Sequence, residues 1–338
     1  MSAVETPTAG DRRRGAWRWL AHQQTRFPLL QLVVLAGAYV YGTATLPGLS
    51  SWLSIKTILI LGSLACLVSV GQTMLILMGG FDLSVAGFTV LGTMVLVLPG
   101  TWHVSFGVSV LIIVAFAAFV GGIAGWICHR LDLSPLIVTL GTGGIALGVA
   151  QVIVGSFAFA NGTGAPVWLE GLTSPVTKSF GVSIPPVVVI TVVVTALMAV
   201  FLHRTVVGRR LLATGANRGA ADLSLVKTRR IWTGSFAFSA VMSALFGVVL
   251  AGYSGSVDLS IGDPYLFLSV TAVFVGGTVF GGPGDYTRTV VGALFLEVLS
   301  TVLIGHGVGA AAQQILYGVI LLLAVTAYGR GARLRDRI

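Results

Sequence analysis

The stretch from Val104 to Cys128, VSFGVSVLIIVAFAAFVGGIAGWIC, runs without one charged residue. About 18 or more consecutive apolar residues read as a helix that crosses a membrane. The remainder of the chain has the same character. Of its 338 residues 55% are hydrophobic and only 9% charged, with a mean hydropathy of +0.96. Soluble domains carry roughly 25% charged residues, so too few are present to cover a water-facing surface, and a soluble enzyme of this size is excluded. The fold class expected is an all-α polytopic membrane protein.

Working outward from that stretch, ten apolar segments are expected to span: 29–46, 58–78, 83–98, 104–128, 136–159, 184–202, 231–252, 266–279, 290–304 and 310–328. The third, eighth and ninth fall short of the roughly 20 residues a straight crossing needs. Short, glycine-interrupted segments suit broken helices around a transport cavity, and tilt or mis-set boundaries is the alternative. The 45 glycines are about twice the usual ~7% share and fit closely packed membrane helices. Three parts follow: a basic N-terminal tail over 1–28, a transmembrane domain over 29–328 with a large loop at 203–230, and a basic tail over 329–338. A cleaved leader, with the apolar run 29–35 before Ala36-Gly37-Ala38, is the competing reading of the start. Trp52, Trp102, Trp126 and Tyr328 sit at segment ends as interfacial anchors.

The net charge of +9 invites a nucleic-acid reading, which the distribution answers. With the N-terminus in the cytoplasm, 18 of the 20 basic residues fall on inside segments, leaving Lys56 and Lys178 outside. That is the positive-inside pattern, with both termini on the cytoplasmic side of the membrane. The basic groups are scattered over several loops, so no nucleic-acid partner is expected. On the same reading Asp82 counts among the inside residues and Glu297 is the one conspicuous intramembrane charge. Such a group costs roughly 2.5–3.5 kcal/mol on insertion scales and needs a partner. A solute hydroxyl is one candidate; a neighbouring Ser, Thr or Gln, or protonation, is the other.

No G-x-x-x-x-G-K-[ST], H-E-x-x-H, Cys-x-x-Cys or G-x-S-x-G pattern occurs, so the chain carries no P-loop ATPase or recognisable hydrolytic site of its own. Cys66 and Cys128 lie in apolar runs and read as small core residues. Gly79-Gly80-Phe81-Asp82-Leu83-Ser84 joins two segments: the glycines can end one helix with φ > 0, and Asp82 with Ser84 can cap the next or line a re-entrant turn. Phe81-Asp82-Leu83-Ser84-Val85 is echoed by Val257-Asp258-Leu259-Ser260-Ile261, on the opposite side of the membrane, as an inverted repeat would give. Gln72, Gln151, Gln313 and Gln314 can line a polar path or join helices.

Gly71-Gln72-Thr73, the Gly79 to Val85 run, Gly208-Arg209, Gly215-x-Asn217-x-x-Ala220-Ala221-x-x-Ser224, Gly276-Gly277-Thr278 and Gly281-Gly282-x-Gly284 together resemble, in order and spacing, the landmarks of ribose-type permeases of bacterial ABC importers. The resemblance covers about 53–328. It implies a permease subunit that imports a small polar solute, most simply a monosaccharide. It also implies a second permease subunit as homodimer or heterodimer, cytoplasmic ATP-binding subunits that hold the ATP and Mg, and an external solute-binding protein. No cofactor is expected on this chain itself. By position, Gly215, Asn217, Ala220, Ala221 and Ser224 fall in the loop that couples to the ATPase, where bulky or charge-reversing changes at Ala220 or Ala221 are expected to uncouple transport. Gln72, Asp82, Ser84, Gly276, Gly277 and Glu297 are the candidate path residues. This chain departs from the pattern at Leu225, where the family usually has glycine, at Gly262-Asp263-Pro264-Tyr265-Leu266, and at Ser300-Thr301-Val302, where an asparagine-glycine pair is common. The alternatives are an ion-coupled secondary transporter using Glu297 or Asp258, and a membrane scaffold or receptor that carries no solute.

Overall fold

The computed structural model describes residues 28–157, 164–179 and 181–335. Most of the basic N-terminal tail and the start of the 160–183 loop, with Asn161 and Gly162, lie outside the described residues. Apart from an isolated bridge between Ser179 and Val182, the regular structure described is helical. In chain order the helices are α1 (Leu29–Thr45), α2 (Trp52–Leu77), α3 (Val85–Thr93), α4 (Leu98–Trp102), α5 (Phe106–Arg130), α6 (Pro135–Phe157) and α7 (Val167–Thr173). There follow α8 (Pro186–Arg204), α9 (Val206–Ala216), α10 (Arg218–Leu223), α11 (Thr228–Ser254), α12 (Asp263–Val275), α13 (Tyr286–Gly305) and α14 (Ala310–Arg335). Six of these are long and apolar enough to cross a membrane: α2, α5, α6 up to Gly155, α8, α11 and α13. The apolar helical stretches at Leu29–Thr45, Val85–Leu96, Asp263–Val275 and Ala310–Thr326 are shorter.

Lipid explains the residue distribution. α2 and α11 are buried along most of their length and form the core with α3 and α12, while α1, α6, α8 and α14 turn rows of Leu, Val and Ile outward. In water those rows would be a liability; against hydrocarbon they are the expected surface. Several buried hydroxyls bond back into their own helices, as Ser69 does to the Ala65 carbonyl (2.7 Å) and Thr191 to that of Val187 (2.9 Å), which keeps those polar atoms paired inside the bundle.

Two helices are half-length for local reasons. α3 gives way to a 3-10 turn, Met94–Leu96, ahead of Pro99, and His103 at φ 50° stops the short α4. α12 starts from Gly262 with Pro264 in its first turn and stops at Gly276-Gly277, where Gly277 takes φ +90°. Their starts lie against each other: a methyl added at Gly262 would overlap the backbone of Ala86. From there α3 climbs along α11, with Gly92 and Gly247 in backbone contact, and α12 runs the other way to meet the start of α13 at Arg288.

The ninth segment corrects its expectation. α13 is continuous over 20 residues, from Tyr286 to Gly305. Its first turn looked too polar for a span, but the Tyr286 hydroxyl donates to the Cys66 carbonyl (2.8 Å) and Thr289 pairs with Thr73 (3.0 Å). Those groups are therefore buried and partnered within the helix.

Candidate coupling junction and translocation path

The ends of the helices sort the charges. His129 at the end of α5 meets Thr228 at the start of α11 (2.9 Å), and His203 at the end of α8 meets Asp285 before α13 (3.2 Å). The same end carries α9, α10, Arg130, Arg288 and the seven basic residues of loop 203–230. At the opposite end Lys56 is buried and donates to the Pro175 carbonyl (2.8 Å) and the Ser183 hydroxyl (2.6 Å), clamping the 174–184 loop onto α2.

At the cationic end the glycine landmarks converge. The double glycine closes α2 as the sequence suggests: Gly79 sits at φ +83°, its N–H donates to the Ile76 carbonyl (3.1 Å), and the Gly80 N–H to that of Leu75 (2.8 Å). The Gly281 N–H also reaches the Ile76 carbonyl (2.9 Å), with Gly281 lying against Gly79 and beside the Gly215 carbonyl. A methyl at Gly215 would run into the Leu77 carbonyl, and one at Gly284 would meet Thr278 and Leu77. Phe81 stacks on Phe280 (4.8 Å) beside Phe274 (6.1 Å). Residues 66 positions or more apart in the chain thus form one backbone-to-backbone knot joining the base of loop 203–230 to α2 and to the loop after α12. Glycine is required at Gly215 by that close approach, and at Gly79 and Gly281 by positive φ.

The remaining loop residues divide. Asn217 caps α10, its side-chain oxygen accepting from the Ala220 N–H (3.0 Å). Ala220 and Ser224 face outward, whereas Ala221 is buried, so a bulky group there would disturb the loop's own packing before reaching a partner. Arg218 braces α10 to α5 through Asp132 (3.0 Å) and the His129 carbonyl (3.1 Å), and Thr228 donates to Asp222 (2.5 Å). Leu225 adopts φ +60°, which explains why glycine would be expected there.

Asp82 is not a surface residue of the cationic end. It is buried, its Oδ1 accepts from the Ser84 N–H (2.8 Å) and from the Ser84 hydroxyl, and its Oδ2 from the Ser239 hydroxyl of α11 (2.5 Å). Glu297 is therefore not the one buried acid. Asp82 holds the turn before α3 from within, and the Leu83 N–H is taken by Thr139 of α6 (3.0 Å). Ser239, Thr139 and Ser243 were missed in the sequence because a hydroxyl inside an apolar run carries no signal of its own.

Gln72 is fully buried, and its side-chain amide finds no hydrogen-bond partner among the described residues. Glu297 is 8% exposed, and no hydrogen bond to its carboxylate is seen among the described residues. The Ser and Gln that could have served it serve each other: Ser300 donates to Gln313 (2.7 Å), whose amide donates to the Val308 carbonyl (3.2 Å). Tyr317 of α14 and Tyr265 of α12 pack in the same buried cluster as its neighbour Leu296. Gly276 and Gly277 are spent on packing: a methyl on Gly276 would overlap the backbone of Arg288, and Gly277 supplies the positive φ. A separate cavity of about 550 Å³ under the loop is lined mainly by apolar residues such as Val70, Met74, Met198, Phe201 and Leu211, with Arg230 and Ser235 as its polar members.

Half-helices that start beside each other, a buried polar turn, and a braced loop at the cationic end define a polytopic transport permease. Residues 54–325 match the family model described as the permease component of the branched-chain amino acid transport system, and the chain belongs to that family. Among its relatives, the fructose import permease protein FruG of Bifidobacterium longum is 29% identical over 87% of this chain and 86% of its own length. The ribose import permease protein RbsC of Escherichia coli K12 is 29% identical over 95% and 98%. The autoinducer 2 import system permease protein LsrC of Escherichia coli is 29% identical over 84% and 83%. No solved structure matches the chain.

Proposed function

We propose that this chain is the membrane-spanning subunit of an ATP-driven importer for a small polyhydroxylated solute, most simply a monosaccharide. The names of its relatives support that solute class. On this reading ten segments, six long and four shortened, cross the membrane, and the positive-inside pattern supports an orientation with both termini cytoplasmic and the cationic end toward the ATP-binding subunits. ATP and Mg belong to those subunits, and an external protein delivers the solute. A second permease subunit completes the path: Gly141, Gly144, Gly148 and Gly155 leave open space along α6, the small-residue surface on which membrane helices approach closely.

The knot of Gly79, Gly215 and Gly281 carries this reading. It ties the loop that a cytoplasmic partner would push to both α2 and the loop after α12, so a shift of α9 is transmitted to the half-helices rather than absorbed. The permease must favour two conformations differently; it needs no chemistry on the solute. Gln72, Asp82, Ser84 and Glu297 supply the interior polar groups, with Glu297 open to a solute hydroxyl.

The test is uptake by vesicles that hold the permease and its ATPase subunit. ATP-dependent uptake should appear only with the external binding protein added, and Gly215→Val should retain the ATPase subunit while uptake falls at least tenfold. Uptake by the permease alone, driven by an ion gradient and indifferent to ATP, would instead establish a secondary transporter.

A further inference from the structure

Four helices end with the same pair of hydrogen bonds. The residue after the cap donates three positions back and its successor five positions back: Gly79 and Gly80 at α2, Gly277 and Thr278 at α12, Gly307 and Val308 at α13, and Leu225 and Val226 at α10. The first residue of each pair has positive φ, at +83°, +90°, +79° and +60° respectively. Glycine fills the position three times because a side chain there meets its own backbone. The fourth holds leucine, a residue that rarely adopts this conformation.

That leucine is not held there by packing. Leu225 is 90% exposed and Leu223, at the end of α10, is 88% exposed. They flank Ser224 at the tip of a loop that is otherwise braced to the protein by Arg218 and Thr228. Loop 203–230 has seven basic residues against one acidic, and Arg209, Arg210, Lys227, Arg229 and Arg230 are all exposed. An apolar pair in a cationic surround, kept out of lipid by its place among the charges, has the composition of an interface anchor with a polar rim. Backbone strain retained at such a point is the kind that function maintains.

We infer that Leu223 and Leu225 form a two-leucine plug that seats in an apolar cleft with an acidic rim on the ATP-binding subunit, and that Leu225 sets which ATP-binding subunit this permease accepts. The inference rests on the reading that an ATPase subunit docks on this loop. Burial of the plug supplies affinity, and the cationic rim steers the encounter.

The experiment uses the full-length permease in lipid nanodiscs and its purified ATPase subunit, identified by ATP hydrolysis. Leu225→Ser and Leu223→Ser should each weaken association at least tenfold, mainly through faster dissociation, and Leu225→Met should restore it. Leu225→Gly separates the plug from the fold: its thermal midpoint should rise as the strained backbone relaxes, while ATPase association falls as for Leu225→Ser. Association with the wild-type chain should also slow as salt is raised. If Leu225→Gly and Leu225→Ser bind the ATPase subunit as the wild type does, the plug is overturned and the docking loop stands. If the wild type binds no ATPase subunit, the proposed function itself fails. Salt-independent association would overturn the acidic rim.

Discussion

The two Asp-Leu-Ser turns have the same local structure and opposite surroundings. In each, the aspartate accepts from the N–H and the hydroxyl of the serine two residues on: Ser84 on Asp82, and Ser260 on Asp258 (2.8 Å for both bonds). In each, the turn leads from a long helix into a half-length one. Asp82 is buried and takes a third bond from Ser239; Asp258 is exposed at the other end of the bundle and takes none. Three residues are enough to build the turn. What surrounds it decides whether the carboxylate is structural or merely local.

The largest break in that comparison is Asp82→Ala. It removes three acceptor contacts and strands the Ser239 hydroxyl. Hydrogen bonds to charged groups contribute about 1.5–3 kcal/mol each in soluble proteins, and less between membrane helices. A loss of about 2–4 kcal/mol is expected, seen as a lower thermal midpoint and poor recovery of monodisperse protein. Asp258→Ala should stay within about 0.5 kcal/mol, the range of surface substitutions. Equal effects would show that burial does not separate the two turns.

How far this was legible in the sequence can be argued from the same turns. Hydropathy marked the spans, since lipid demands long uncharged runs, and the glycine pairs announced helix ends because few other residues tolerate positive φ. Depth was not legible. Asp82 looks like a loop residue between apolar segments, and its burial depends on Ser239, 157 positions away in the chain. The polar start of α13 misled for the same reason, as Tyr286 and Thr289 are satisfied by Cys66 and Thr73 of α2. At the coupling loop the glycine pattern pointed to the right segment, but the same letters hid two jobs: Gly215 packs inward on Leu77 while Ala220 faces out. The departure at Leu225 was visible; the backbone angle that gives it meaning was not.

A smaller effect separates the glycines that follow α11. Gly262 starts α12 against the backbone of Ala86, so Gly262→Ala forces two half-helices apart, at about 1–3 kcal/mol by the usual scale of overpacking. Gly255 has φ +62° but nothing near it, so Gly255→Ala should cost only about 1 kcal/mol of backbone strain. Uptake sharpens the contrast. Gly262→Ala should depress transport by more than its loss of stability accounts for, because it alters the contact between the two half-helices, whereas Gly255→Ala should leave transport in step with stability.

The smallest effect concerns the charge on Asp258 itself. The Ser260 N–H, and then its hydroxyl, hold this carboxyl below its ordinary value of 3.8. A carboxyl whose folded value is depressed stabilises the fold above the unfolded value, and that contribution is lost as pH falls through the folded one. The window therefore lies below about pH 4, far from neutral, and full exposure leaves the contribution screened by solvent. Asp258→Asn should leave the thermal midpoint at pH 7 unchanged within error, and the pH dependence of uptake between pH 6 and 8 identical to that of the wild type. A shift in that profile would mean that Asp258 titrates during transport. It would move the second turn from local structure to a site on the solute's path, and the exposed aspartate would then carry more of the function than the buried one.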